Sequence, residues 1–395
     1  MDTFLKIVNA KIITPQRIIR EGTVVIKNGL IESVGNKNIE VESATAIDAA
    51  GLYLSPGFID LHIHGGGGAD FMDGTEEAFL TIAETHARYG TTALYPTTLT
   101  SEKKDLLETL ETFESATKKN TNGAQLMGMH LEGPYFAMNQ RGAQDPRYIR
   151  NPDPAEYKEV IEASSSIKRW SSAPELEGAV AMGRFLRSRG ILPAIAHTDA
   201  IYEEVVDAFE NGYTLATHFY SGMSGVMRRN GYRYAGVIES GYLIDEMDVE
   251  VIADGIHLPA PLLKLICKIK GADHIALITD AMRAAGMPEG DSILGGLETG
   301  LKVVVDQGVA WLPDRSSFAG SVATADRLVR NMIHLAELTL TDAIKMISLT
   351  PARIMSIDDR KGSIAAGKDA DLLLFDQDIH IHKTIVKGRV IYSSE

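Results

Sequence analysis

The sequence predicts an α/β protein: a (β/α)8 TIM-like barrel with a small β-sandwich domain built from both chain ends. Three observations predict it. Between residues 58 and 279, eight short apolar strand patterns alternate with mostly helical connections, the order of parallel strands covered by helices. The first 55 or so residues and the end of the chain are β-rich, and each is too short to enclose a good core alone. Side chains able to bind metal or move protons stand at the C-terminal ends of the expected strands, where barrels gather their chemistry. The 395 residues suit a large barrel plus a small domain. The expected segments are 1–55 and 352–395 for the small domain and 56–351 for the barrel. An open parallel sheet is the alternative, because strand closure leaves no mark in a sequence.

In chain order, residues 4–8 and 23–27 read as strands. Asn28-Gly29 then forms a hairpin turn into a returning strand at 30–34. A further short strand is expected before Asp48. After Pro56, strands are expected at 58–63, 92–95, 125–131, 169–173, 192–196, 214–217, 249–253 and 275–279. Helices are expected at 76–89, 102–116, 154–163, 174–188, 201–211 and 261–269. The connection from Ser221 to Asp248 is Gly- and Arg-rich and shows no clear period. Beyond the eighth strand, 301–305 and 309–312 read as a hairpin around Asp306-Gln307-Gly308, followed by helices at 322–338 and 341–348. β texture returns at 371–375 and 384–392, the latter turning at Lys387-Gly388.

Bulk properties exclude several function classes. A net charge of −14 argues against a nucleic-acid partner, whose phosphates require a basic surface. A single cysteine, Cys267, permits no intrachain disulfide. No apolar run is long enough to span a membrane, and the N-terminus lacks a signal-peptide pattern, so no membrane partner and a cytoplasmic location are expected.

The chemistry centres on Gly57-Phe58-Ile59-Asp60-Leu61-His62-Ile63-His64. Strand side chains alternate, so His62 and His64 point to one side and can grip one ion. The Gly65–Gly68 run that follows lacks the Lys-Ser/Thr pair of a phosphate cradle and is expected as a flexible loop beside the metal. Strand three ends at His130-Leu131-Glu132, strand five at His197, strand six at His218 and strand eight at Asp280. Each alone reads more readily as a capping or satisfied core polar residue than as a ligand. Together, His62, His64, His197, His218, Glu132 and Asp280 place four imidazoles and two carboxylates at one mouth. Nitrogen and oxygen donors without thiolate suit Zn²⁺ first, and also Fe²⁺, Mn²⁺ or Co²⁺, as one ion or as two bridged by Glu132. Hydrolysis is the chemistry such a site performs well, because a bound metal acidifies water and a carboxylate such as Asp280 can shuttle the proton. His257 follows strand seven and reads equally as a substrate contact or further ligand and as a plain loop histidine. His86, His274 and His334 read as structural, and His380 and His382 as a solvated strand face.

These residues resemble the amidohydrolase superfamily and, within it, the N-acetylglucosamine-6-phosphate deacetylase family, over nearly the whole chain. The resemblance rests on Pro56 through His64, His130-Leu131-Glu132-Gly133-Pro134, Asp254-Gly255-Ile256-His257, Thr279-Asp280-Ala281, Ala319-Gly320-Ser321 and the run from Lys361 through Asp371. It implies that Glu132, His197 and His218 are the main metal ligands and that Asp280 is the acid/base. It also implies that His257 and Arg229, the best match among Arg228, Arg229 and Arg233, meet a substrate phosphate. Ala143 and the Phe318-Ala319-Gly320 stretch would touch the sugar. A homodimer is implied, with the arginine lent by the neighbouring subunit.

The sequence departs from the family at two substrate-facing places. Gly142-Ala143-Gln144 stands where the family has Gly-Ala-His, and His218-Phe219-Tyr220-Ser221-Gly222-Met223 where it has His-Leu-Phe-Asn-Ala-Met. Gln144 can still donate a hydrogen bond to an acetyl carbonyl, and the Ser221 hydroxyl and Gly222 N–H can still reach a phosphate. The expected substrate is an N-acetylhexosamine 6-phosphate. The competing expectations are an amidohydrolase for another N-acylated amine or cyclic amide, and an inactive metal-binding paralogue.

Overall fold

The computed structural model describes residues 2–37 and 39–394. Eight strand positions line up in parallel between Phe58 and Ile278, as expected. Phe58–Ile63, Thr91–Pro96 and Gln125–Leu126 form one hydrogen-bonded set. Met129–Glu132, Ile167–Ser172, Leu192–Ile195, Leu215–Ala216, Asp248–Ile252 and Ile275–Ile278 form the second. A parallel bridge from Thr97 to His130 joins them. The expected third strand is split because Gly128, at φ 146°, interrupts the ladder between Leu126 and Met129. Beyond the strand ends, the Asp280 N–H reaches the His62 carbonyl at 2.9 Å, so the first and last strands approach each other and the sheet is curled.

All six residues of Phe58–Ile63 are buried, which explains why the strand reads as an apolar run with polar interruptions. Ile59 and Leu61 pack toward the helix Leu349–Ile354. The alternate residues join a polar network inside the curl. Asp60 accepts from Thr279 Oγ1 at 2.5 Å, His130 Nε2 bonds Ser171 Oγ at 2.7 Å, and Arg169 pairs with Glu250.

The helices Glu76–Ala87, Lys103–Lys119, Pro154–Ala163, Tyr202–Glu210 and Ala260–Lys270 match expectation within a few residues. The helix expected from 174 starts later, at Ala179, because Gly178 sits at φ 89° and Glu175 accepts from Thr198 Oγ1 and the Asp199 N–H. The unreadable 221–248 connection holds a hairpin, Met227–Arg229 with Tyr232–Tyr234, and the helix Val237–Leu243. The expected 301–312 hairpin is the middle of a four-stranded sheet completed by Gly290–Leu294 and Phe318–Ser321. The two helices expected after it are Ala325–His334 and Leu340–Ile347.

The chain ends meet in one hydrogen-bonded sheet of eight strands, and the turn at Gly29 lies against that at Lys387-Gly388. Tyr53–Pro56 pairs antiparallel with Leu372–Phe375, joining the N-terminal strands to Ile381–Val386 and Arg389–Ser393. Continuity comes from Phe4–Ile13, which pairs with Thr45–Asp48 in its first half and Tyr53–Pro56 in its second. Asn9, at φ 57°, bends that strand between the two pairings. Ile7, Ile12, Val24, Leu54, Leu372 and Ile385 from both ends fill one core. Among the described residues, no helix is long and apolar enough to cross a membrane.

Candidate active site

The predicted imidazoles and carboxylates converge at the C-terminal edge of the parallel strands. His62 and His64 project to one side with their Nε2 atoms 3.1 Å apart. Glu132 lies between this pair and the histidines of strands five and six. Its Oε1 is 3.0 Å from His218 Nε2 and 3.3 Å from His197 Nε2, and its Oε2 is 3.5 Å from His64 Nε2. Asp280 Oδ1 stands 3.4 Å from His62 Nε2 and 3.2 Å from His64 Nε2. All six residues are buried.

Three of them have unusual backbones. His197, His218 and Asp280 have φ of 47°, 32° and 46°, the left-handed region that costs a non-glycine residue roughly 1–2 kcal/mol. Backbone bonds hold them there. The His197 carbonyl accepts from Ala137 at 2.8 Å, the His218 carbonyl from Ser221 at 2.9 Å, and Asp280 exchanges bonds with His62 and Ser321. The turn at each strand end swings the side chain over the mouth. Gly222 must be glycine for a related reason: a Cβ there would lie 2.8 Å from His197 Nδ1 and 2.9 Å from the Gln140 carbonyl.

The hydrogen bonds fix the imidazole tautomers. His197 Nδ1 meets the Gln140 carbonyl at 2.7 Å, His218 Nδ1 the Ser221 carbonyl at 3.1 Å, and His64 Nδ1 the Thr97 carbonyl at 3.2 Å. A carbonyl only accepts, so each Nδ1 carries hydrogen, and a ring with no second proton turns an Nε2 lone pair toward Glu132. Lone pairs facing a carboxylate at 3.0–3.5 Å repel unless a cation sits among them. Burial opposes charge on His62, but Glu132 and Asp280 overcome it and raise its pKa to about 10. Burial pushes Asp280 up, while His62 and His64 outweigh it and bring it down to about 2. Glu132 is likewise driven well below the usual carboxylate range, burial being overcome by His62, His197 and His218. The carboxylates are thus ionised and demand positive charge. Two donor groups with metal-compatible spacing share Glu132: His62, His64 and Glu132, and Glu132, His197 and His218.

A cavity of about 210 Å³ opens on this cluster. Ala143, Gln144, Ser221, Gly222, His257, Phe318 and Gly320 line it. His257 Nδ1 is tied to Asp254 Oδ2 at 2.7 Å, and its ring lies 4.6 Å from that of Phe318. Ala319 is wholly buried behind the wall with Met282 and Val303, because alternation along Phe318–Ser321 turns it away from its neighbours' side. Gln144 donates to Glu132 Oε2 at 2.7 Å. Arg229 does not reach the cavity of its own chain. It stands exposed on the hairpin with Arg228 and Arg233, its guanidinium 5.7 Å over Tyr234. The Gly65–Gly68 run is a tight two-stranded ribbon with Ala69–Asp70 and not a loose loop; a Cβ on Gly65 would lie 2.4 Å from the Ala69 carbonyl. Sequence reading missed Leu99, Leu294 and Ser317 of the wall, the Gln140 carbonyl, and the Arg169–Glu250 pair beneath His62. Glu250 did carry a signal, a charge inside an apolar strand pattern.

The amidohydrolase family matches residues 53–391 of this chain. The N-acetylglucosamine-6-phosphate deacetylase of Lysinibacillus sphaericus is 33% identical, covering 92% of each chain. The N-acetylgalactosamine-6-phosphate deacetylase of Escherichia coli O157:H7 is 34% identical over 85% of this chain and 87% of its own. Among solved structures, the N-acetylglucosamine-6-phosphate deacetylase of Thermotoga maritima superposes with a TM-score of 0.87 at 31% identity, covering 99% of this chain and 100% of that one.

Proposed function

The chain belongs to the amidohydrolase family, and we propose that it is a metal-dependent hydrolase removing the acetyl group from an N-acetylhexosamine 6-phosphate, in the first place N-acetylglucosamine 6-phosphate. The products are the amino sugar phosphate and acetate. The observation that carries the reading is the Glu132-centred donor cluster at the floor of a substrate-sized cavity, in a chain whose relatives bear deacetylase names.

The donor set fits a divalent metal. Glu132, His197 and His218 would hold one ion, and His62, His64 and Glu132 a second beside Asp280. Zn²⁺ is the first choice for such ligands, with Fe²⁺, Mn²⁺ or Co²⁺ as the others. The metal supplies a Lewis acid and a water that ionises near neutral pH. The rest falls to the chain. Asp280 takes the proton of the attacking water and returns it to the departing nitrogen. His257, oriented by Asp254, turns its free ring edge to the substrate, and the Ser221 hydroxyl and Gly222 N–H stand at the cavity wall for its polar groups. Phe318 offers an apolar face to the sugar, with Ala143 and Gly320 leaving it room.

We read the curled sheet as a (β/α)8 barrel over residues 56–351, with 1–55 and 352–395 forming the small β domain. We also read the protein as a cytoplasmic homodimer. The exposed arginine hairpin supports the dimer, since Arg229 meets no anion among the described residues of its own chain and would reach the phosphate in a neighbour's cavity. A phosphorylated sugar does not cross a membrane unaided, which places its hydrolysis where it is formed.

The galacto epimer is the second reading, favoured by the Escherichia coli relative and by Gln144 and Ser221-Gly222 in the wall. The test is kcat/KM for N-acetylglucosamine 6-phosphate against its galacto epimer and its unphosphorylated form. The proposal expects the gluco phosphate to lead. A higher value for the galacto phosphate selects the second reading. A phosphate preference below ~10-fold, about 1.4 kcal/mol, removes the phosphate site from the assignment.

A further inference from the structure

Gln144 is 5% exposed, and both ends of its amide are engaged. Oε1 accepts from the Thr100 N–H at 2.9 Å, and Nε2 donates to Glu132 Oε2 at 2.7 Å. The partners dictate this orientation, because the backbone N–H only donates and the ionised carboxylate only accepts. We propose that Gln144 is a positioning residue for the metal centre: it clamps Glu132 Oε2 on the His62–His64 side and so governs uptake of the ion there. This rests on the metal-dependent reading of the site.

The two oxygens of Glu132 have different neighbours. Oε1 faces His197 and His218 at 3.3 and 3.0 Å, while Oε2 faces His64 at 3.5 Å and Gln144 at 2.7 Å. A carboxylate serving both halves must keep its plane, and the terminal torsion of glutamate is intrinsically soft. His197 and His218 direct one oxygen; the amide, anchored on main chain at Thr100, directs the other. It is neutral and occupies one lone-pair direction of Oε2, leaving a second for an ion.

Gln144, Ala143, Leu99 and Leu294 line both the 210 Å³ cavity and a second of about 450 Å³. The two hydrogen bonds hold the amide in place between them, and their loss is felt at Glu132. Partners of this kind change metal affinity by ~10–100-fold.

The test strips metal from wild type, Gln144→Met and Gln144→Asn, and titrates each with Zn²⁺ against a competing chelator. Met keeps the length without either hydrogen bond. Asn keeps both polar ends on an arm too short to span Thr100 and Glu132, which covers a folding failure of the first variant. Thermal melts of the stripped proteins check the fold. The expected result is two ions for wild type, and in the variants one ion of wild-type affinity with the second weakened ~10–100-fold. Acetate release by the variants falls at low Zn²⁺ and recovers as Zn²⁺ is raised. Unchanged affinity for both ions overturns the inference. So does a loss of turnover that Zn²⁺ does not recover, which assigns Gln144 to the substrate carbonyl. A wild type that takes up one ion overturns the inference alone; one that takes up none overturns the metal-dependent reading as well.

Discussion

Arg169 and Glu250 form an ion pair with no exposed side-chain surface, directly beneath His62. Arg169 Nη2 donates to Glu250 Oε2 at 2.8 Å and to Thr217 Oγ1 at 2.7 Å, and Glu250 Oε2 stands 3.7 Å from His62 Nδ1. Burial raises the Glu250 pKa, but Arg169 outweighs it and brings it to about 2, so both charges persist. The pair is sensitive to losing one member. Arg169→Met should lower stability by ~3–5 kcal/mol, because it strands a buried carboxylate, while the Arg169→Met/Glu250→Leu double variant should recover much of the loss. Urea unfolding of the metal-stripped proteins reads both numbers. A double variant no more stable than the single would show that the stranded charge is not the cause.

We read Asp280 as the proton carrier: its Oδ1 lies 3.2–3.4 Å from two imidazole nitrogens, on a turn locked by main-chain bonds. Asp280→Asn preserves its shape and removes the base. Turnover of the N-acetylated substrate should drop by ~10²–10⁴-fold, with KM changed far less. A variant keeping more than a tenth of wild-type kcat at saturation would exclude this role.

The strand order and the donor set were legible because both depend on short-range periodicity. Strands buried on both faces read as apolar runs, and two-residue alternation sets His62 beside His64 whatever surrounds them. What stayed hidden depends on partners distant in sequence. Gln144 is read correctly only with Thr100 and Glu132 in place, and the Arg169–Glu250 pair spans 81 residues. Phe318–Ser321 and Gly290–Leu294 carry little apolar pattern, so their sheet was half seen. The alternation that found His62 and His64 also applies to Phe318-Ala319-Gly320, where it turns Ala319 into the core.

The His62–His64 pair should set metal stoichiometry. Two divalent ions bring four positive charges, and Glu132 and Asp280 offset half, a balance that favours a deprotonated water at neutral pH. Metal analysis of protein loaded with excess Zn²⁺ should give two ions per chain. The His62→Ala/His64→Ala double variant should give one, retained by Glu132, His197 and His218. One ion in wild type, unchanged in the double variant, would refute the second position.

His86 should make the fold acid-sensitive. It lies wholly buried near the end of the helix Glu76–Ala87, its Nε2 donating to the Gly65 carbonyl at 3.0 Å and its Nδ1 buried without a hydrogen-bond partner. Gly66 packs so close that a Cβ there would lie 2.5 Å from this Nε2, so His86 braces the turn directly after His64. Burial lowers its pKa from 6.5 to about 4. Between those values the unfolded chain binds a proton that the folded chain does not, so stability falls as the pH drops through this window and levels off below it. A gap of about 2.5 pH units corresponds to on the order of 3 kcal/mol. His86→Gln keeps a donor for Gly65 and cannot ionise. In chelator, where bound metal adds no pH dependence of its own, wild type should lose on the order of 3 kcal/mol more than His86→Gln between pH 6.5 and 4. The carboxylates and the site histidines titrate in both proteins and cancel in the difference. Parallel stability curves would mean that His86 protonates in place, with the Gly65–Gly66 turn yielding to admit the charge.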